Sequence, residues 1–288
     1  MLMLLALLAQ AAAQEALPQK PFNPCLDAGT RETVVFIGAL KQPPDPPEPA
    51  FFGTGFLIEV DGIPYLVTAK HVIQQYLDEG KGDGALVAAF NLKSGRGTVQ
   101  SLAKVRTANN VGWVFAAAAD IACFPFPLGP DFNVRTIPRA LFLPRAAAAE
   151  LQDVFFVSFH PGLGGTDRIT PILRRGMISL FTEKQLYLDA FVFPGNSGSP
   201  VFTKPSPVSF MPGGTMVGDQ LGCRLVGLVG AYLPYQEVAV SLQTKRPRVV
   251  FEENTGLAEI TTGDQVDELI QSEEFQKQHR RILKAIGR

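Results

Sequence analysis

The sequence predicts an all-β fold closed by a C-terminal helix, and three observations carry that prediction. Glycine, proline and phenylalanine number 27, 23 and 21 among 288 residues, a composition suited to many short strands joined by turns. Apolar runs bounded by turn residues recur along the chain. The clearest is Gly53 to Val60, turning at Asp61-Gly62 and returning as Ile63 to Val72, with the Asp-Gly pair that marks a tight hairpin. Helical periodicity is confined to the end. There Thr262-Gly263-Asp264-Gln265 matches a capping box, and Val266, Leu269, Ile270, Phe275, Ile282, Leu283 and Ile286 form an interrupted apolar face. With 46% hydrophobic and 18% charged residues, the chain can bury a sizeable core in one large or two modest domains.

Taken in order, Met1 to Ala9 is an apolar run followed by an Ala-x-Ala pattern ending near Ala13, which reads as a secretory signal over 1–13 without a basic start. A spanning anchor needs about 20 apolar residues, and Glu15 intervenes too early. An irregular lead-in over 14–32 precedes a strand at Thr33 to Ala39 and an extended loop through Pro43 to Pro49. After the Asp-Gly hairpin, Val72 to Leu77 reads as a short helical turn. Strands are expected around Ala85–Phe90, Thr98–Val105 and Val111–Ala117, completing a first unit over 33–126. Prolines punctuate a connection over 127–150. The second unit, 151–262, has strands at Asp153–Phe159, Arg174–Leu180, Gln185–Ala190, Val201–Phe202 and Arg224–Ala231, with a loop at Pro205–Gln220. The helix takes 263–288.

Phe193-Pro194-Gly195-Asn196-Ser197-Gly198-Ser199-Pro200 encloses a serine between glycines and prolines. A serine hydroxyl becomes a nucleophile only with a base to take its proton and donors to hold the resulting oxyanion. Glycines flanking Ser197 let the N–H groups of Gly195 and Ser197 point into one cavity, although the same residues also suit a plain surface turn. His71 sits where a buried strand leaves its sheet, a rigid mount for a general base. Asp120 follows Trp113 to Ala119 in apolar surroundings, where an unpaired carboxylate is costly and a histidine N–H would satisfy it. His160, in a Pro-Gly loop, reads as a polar turn residue. Net charge of -1 gives no general attraction to nucleic acid or to anionic lipid. Cys25, Cys123 and Cys223 allow at most one disulfide, and with neither Cys-x-x-Cys nor His-Glu-x-x-His no metal or other cofactor is expected.

The order His71, Asp120, Ser197, within Thr68-Ala69-Lys70-His71, Asp120-Ile121-Ala122 and Gly195-Asn196-Ser197-Gly198-Ser199-Pro200, resembles the trypsin-like (chymotrypsin-fold) serine proteases. Leu188-Asp189-Ala190, at its spacing before Pro194, makes the likeness greatest to the bacterial HtrA/Deg-type branch. The resemblance implies two packed six-stranded Greek-key β-barrels with the C-terminal helix appended. It implies a Ser-His-Asp triad, an oxyanion hole at Gly195 and Ser197, and a specificity pocket near Phe191 with a wall at Val226 and Gly227. It further implies a polypeptide substrate and an exported, periplasmic or secreted, location. Asn196 replaces the aspartate that pairs with a newly cut N-terminus in zymogens, so no such activation is expected, and the chain leaves no residues for a PDZ module. Two other readings are a catalytically silent binding or scaffolding protein of the same fold, and a lipase-like hydrolase using Ser197, Asp264 and His279.

Overall fold

The protein is described by a computed structural model over residues 28–41, 48–78, 83–160, 163, 167–182, 185–205, 208–211, 214–217 and 222–288. The expected signal over 1–13 and most of the proline-rich loop lie outside these residues. A short 3-10 segment, Ala28–Thr33, leads into β1 (Val34–Lys41). β2 (Glu48–Val60) and β3 (Ile63–Thr68) follow, joined at Asp61 and Gly62, whose φ angles of 50° and 75° are those of a tight hairpin turn. All six residues of β3 are buried, so the strand reads as an uninterrupted apolar run and fixes the start of α1 (Lys70–Asp78). β4 (Leu86–Asn91), β5 (Gly97–Ser101), α2 (Leu102–Asn109), β6 (Val114–Phe115), β7 (Ala122–Pro125) and β8 (Ile137–Pro138) complete the first half.

These strands form one eight-stranded sheet in the order β5-β4-β1-β2-β3-β7-β6, with β8 parallel to β2. The first half is therefore a larger sheet than the expected six-stranded barrel, and among the described residues its end strands β5 and β6 do not pair. The second half closes with six strands, as expected. β9 (Asp153–Ser158), β10 (Ile172–Phe181), β11 (Leu186–Asp189), β12 (Pro200–Thr203), β15 (Leu225–Val240) and β16 (Pro247–Thr262) form a barrel in the order β10-β11-β16-β15-β12-β9. β13 (Val208–Met211) and β14 (Gly214–Val217) make a separate hairpin, where the sequence had suggested only a loop. The fold is all-β and chymotrypsin-like.

Other departures have local causes. The run Thr98–Val105 is strand only to Ser101, whose hydroxyl caps α2 by accepting from the Lys104 N–H at 3.3 Å and turns the chain helical. The strand expected at Val111–Ala117 shrinks to Val114–Phe115, because the alanines bend toward Asp120. The C-terminal helix is two, α3 (Gly263–Gln271) and α4 (Glu273–Ala285), since Ser272 ends one and caps the next through the Phe275 N–H. Thr262 and Gln265 do form the reciprocal capping box.

α4 returns to the first half, packing Phe275 against Tyr65 with the rings tilted by 39° and their centroids 4.7 Å apart. The first half and the helices share one apolar core, and the barrel interior holds a second around Phe156, Leu188, Val201 and Ile260. A small third cluster, Phe36 with Ala89, Phe159 and Ile169, joins the halves beside the serine loop; the Phe36 and Phe159 rings meet edge to face at 4.8 Å.

Candidate active site

His71 is the second residue of α1, directly beyond the buried strand β3. Its Nδ1–H donates to Asp120 Oδ2 at 2.6 Å, and its backbone N–H donates to Oδ1 at 2.9 Å. A carboxylate only accepts, so the proton is on Nδ1 and Nε2 of the neutral ring is left as the acceptor. Burial raises the Asp120 carboxyl, but the His71 side-chain hydrogen bond, the His71 charge and the backbone N–H groups of His71 and Lys70 outweigh it and hold the group below its usual range. The His71 side chain is 51% exposed, so the ring is anchored at one edge and open at the other.

Ser197 lies in the turn between β11 and β12. Its hydroxyl donates to the Gly230 carbonyl at 3.0 Å, and among the described residues it makes no hydrogen bond to His71. Gly230 lies near Ser197 and Asp120: a Cβ built there would stand 4.0 Å from Asp120 Oδ2. Ser197 is further tied to the first half by the Thr54 N–H, which donates to its carbonyl at 2.9 Å. Gly198, at φ 84°, presses so closely on β2 and β3 that an added Cβ would lie 2.0 Å from the Thr54 carbonyl. The turn thus sits in the seam between the two halves, where His71 and Asp120 also lie.

The turn is shaped by a buried polar network that the sequence reading missed. Gly195 has φ 96°, the glycine-favouring region, and the Asn196 N–H closes the turn onto the Phe193 carbonyl at 2.9 Å. The Thr54 hydroxyl donates to the Gly195 carbonyl at 2.8 Å and accepts from the Phe159 N–H at 2.9 Å. Asn196 is fully buried; its Nδ2 donates to the Phe159 carbonyl at 2.8 Å and its Oδ1 accepts from the Phe193 N–H at 2.9 Å. The Gly195 and Ser197 N–H groups find no acceptor among the described residues. Thr54 left no signal in the sequence, because Gly53-Thr54-Gly55 reads simply as part of a strand. Ser199 is buried, and its hydroxyl has no partner among the described residues.

The expected pocket residues are not brought together. Val226 is 2% exposed inside the barrel, and Gly227 packs so closely on β16 that an added Cβ would lie 2.0 Å from the Thr261 carbonyl. The part of β15 beside the serine is three residues further on: Val229 exchanges backbone hydrogen bonds with Gly198 and Ser199, and Gly230 receives the Ser197 hydroxyl. Phe191 is on the rim, 57% exposed and roughly parallel to Phe193, its ring within 3.6 Å of where a Gly256 Cβ would be. Asp264 and His279 are not joined to Ser197. Asp264 accepts from the Arg145 N–H, whereas His279 is 2% exposed between Tyr65 (2.7 Å) and Asp61 (3.0 Å). That placement removes the lipase-like arrangement.

Among the described residues no cluster of three or more His, Cys, Asp or Glu could hold a metal, and no helix is long and apolar enough to cross a membrane. Cys223 is disulfide-bonded and Cys123 is a free, buried thiol. Cys25 lies outside the described residues.

No curated protein matches the chain. Among solved structures it is similar to Deg5, with 16% identity and a TM-score of 0.45, over 70% of this chain and 81% of that one. It is also similar to the HtrA-type protease AlgW with tripeptide, with 17% identity and a TM-score of 0.46, over 86% of this chain and 62% of that one. This chain thus spans less than two thirds of AlgW's length. Residues 53–206, more than half of the chain and including His71, Asp120 and Ser197, match the trypsin-like peptidase domain. The chain belongs to the trypsin-like peptidase family.

Proposed function

We propose that this protein is an exported serine endopeptidase that hydrolyses polypeptides through Ser197, His71 and Asp120. The observation that carries the proposal is the bonded His71–Asp120 pair converging with the Ser197 turn at Gly230. In this reading the Ser197 hydroxyl swings from the Gly230 carbonyl to His71 Nε2 when a substrate strand docks. His71 takes the proton as Oγ bonds to the scissile carbonyl carbon, and the oxyanion is held by the free N–H groups of Gly195 and Ser197. The imidazolium, stabilised by ionised Asp120, protonates the leaving amine as the C–N bond breaks, and water then releases the acyl group by the reverse path. No step calls for a metal or organic cofactor. The unpaired edge of β15 beyond Gly230 offers a place for the substrate to add as a strand. With the Phe191 ring exposed on the rim, the site offers an apolar surface that suits small or medium apolar side chains at the cleavage position. The disulfide at Cys223 supports an oxidising, extracytoplasmic location.

Incubation with unfolded casein tests the proposal. Peptide release that vanishes in Ser197→Ala and His71→Ala supports it; release by neither the parent protein nor the variants would instead favour the silent, binding role.

A further inference from the structure

β15 and β16 do not end at the barrel. From Pro234↔Asn254 to Val240↔Pro247 they continue as a two-stranded arm turning at Ser241 to Arg246, and nearly all of its side chains are exposed. The strand alternation puts Tyr235, Ala239, Val249 and Phe251 on one face, with Glu237 and Glu253, and Val238 and Val250 on the other, with Gln236 and Glu252, so both faces expose apolar side chains. Phe251 and Val250 are 55% and 57% exposed. A two-stranded ribbon with neither face covered is marginal in water, and its edges are templates for another strand.

The charges along this arm are segregated. Lys245, Arg246 and Arg248 lie toward the tip, and Glu237, Glu252 and Glu253 lie toward the barrel. Among these, only Glu252 has side-chain partners among the described residues, Tyr232 and Gln236. The outer edge of β16 pairs with β11 only from Leu257 onward, so 247–253 is unpaired there. Arg248 sits at a register shift and has no partner across the arm.

We propose that this arm joins two copies of the chain, β16 pairing antiparallel with β16 of the second copy about a two-fold axis at Val250. Residues equally distant from Val250 then stand opposite each other. Arg248 meets Glu252 of the second copy, Val249 meets Phe251, and each contact occurs twice. The segment Arg248-Val249-Val250-Phe251-Glu252, basic at one end and acidic at the other, is complementary to itself only when reversed, as an isologous interface requires. The arm's three basic and three acidic residues balance, so as a whole it offers an anionic bilayer no net attraction. The β15 edge next to Ser197 stays free, so pairing does not depend on the proposed activity.

The mass of the purified protein, measured by light scattering over a wide concentration range, tests this. A reversible dimer is expected. Arg248→Glu or Glu252→Arg alone should weaken it by roughly two orders of magnitude, because the two-fold axis repeats each like-charge clash, while circular dichroism stays unchanged. Combining both substitutions should restore the dimer. A parent protein that is monomeric throughout, single charge reversals that leave the dimer intact, or a double reversal that fails to restore it would each overturn the proposal. Monomeric protein whose casein hydrolysis falls with Val250→Lys would overturn it too, and would make the substrate the occupant of the arm.

Discussion

The Thr54 hydroxyl donates to the carbonyl of Gly195, 141 residues away, at 2.8 Å, and so fixes the Gly195–Asn196 peptide that lies between the two proposed oxyanion donors. The same oxygen accepts the Phe159 N–H, so one buried atom holds strand β2, the end of β9 and the serine turn together. Thr54→Val keeps the shape but leaves a buried N–H and a buried carbonyl unpaired. Stability should fall by about 2 kcal/mol, and kcat by about a hundredfold as the oxyanion donors lose their aim. Urea unfolding and steady-state peptide hydrolysis measure the two effects separately.

Asp120→Asn should lower kcat by about 10⁴-fold with little change in KM, because the amide no longer selects the Nδ1–H tautomer of His71. Single-turnover kinetics on a peptide substrate measures it.

The pH dependence follows from the lowered Asp120 carboxyl. A folded-state pKa below the unfolded one contributes stability that is fully present above the unfolded value, 3.8, and is lost as pH falls through the lower folded value. The stability difference between the parent protein and Asp120→Asn should therefore be flat above about pH 5 and close in more acid solution. Urea midpoints measured across that range check the sign; a difference that grew on acidification would contradict it.

His279 should matter for stability and not for catalysis. Its Nε2–H donates to Asp61, and its Nδ1 accepts from Tyr65, whose phenol is pushed well above its usual range, chiefly by burial and further by Cys123 and Asp61. His279→Ala orphans that phenol and opens a cavity under α4, at a cost of about 3 kcal/mol. The melting temperature should drop while kcat/KM, measured well below it, is unchanged.

The residues that meet in the seam were legible because each sits at a place with a strong local signal. Asp61-Gly62 fixed the hairpin that delivers His71, and the glycines around Ser197 marked its turn. Thr54 was not legible, since its role lies in contacts more than a hundred residues away that no local pattern encodes. Val226 and Gly227 were misplaced because the apolar run Leu225 to Gly230 is uniformly buried, and only the register with Ser199 shows that the strand reaches the serine at Val229 and Gly230. The arm escaped notice for a related reason. Pro234, Pro247 and the charges between them interrupt any apolar alternation, and β16 becomes a strand only through its long pairing with β15.

Reaction with a fluorophosphonate probe, with the modified residue located by mass spectrometry, tests the central claim most directly. The account predicts one adduct, on Ser197, that disappears in Ser197→Ala and forms far more slowly in His71→Ala. Equal labelling of the Ser197→Ala protein, or an adduct on any other residue, would contradict it.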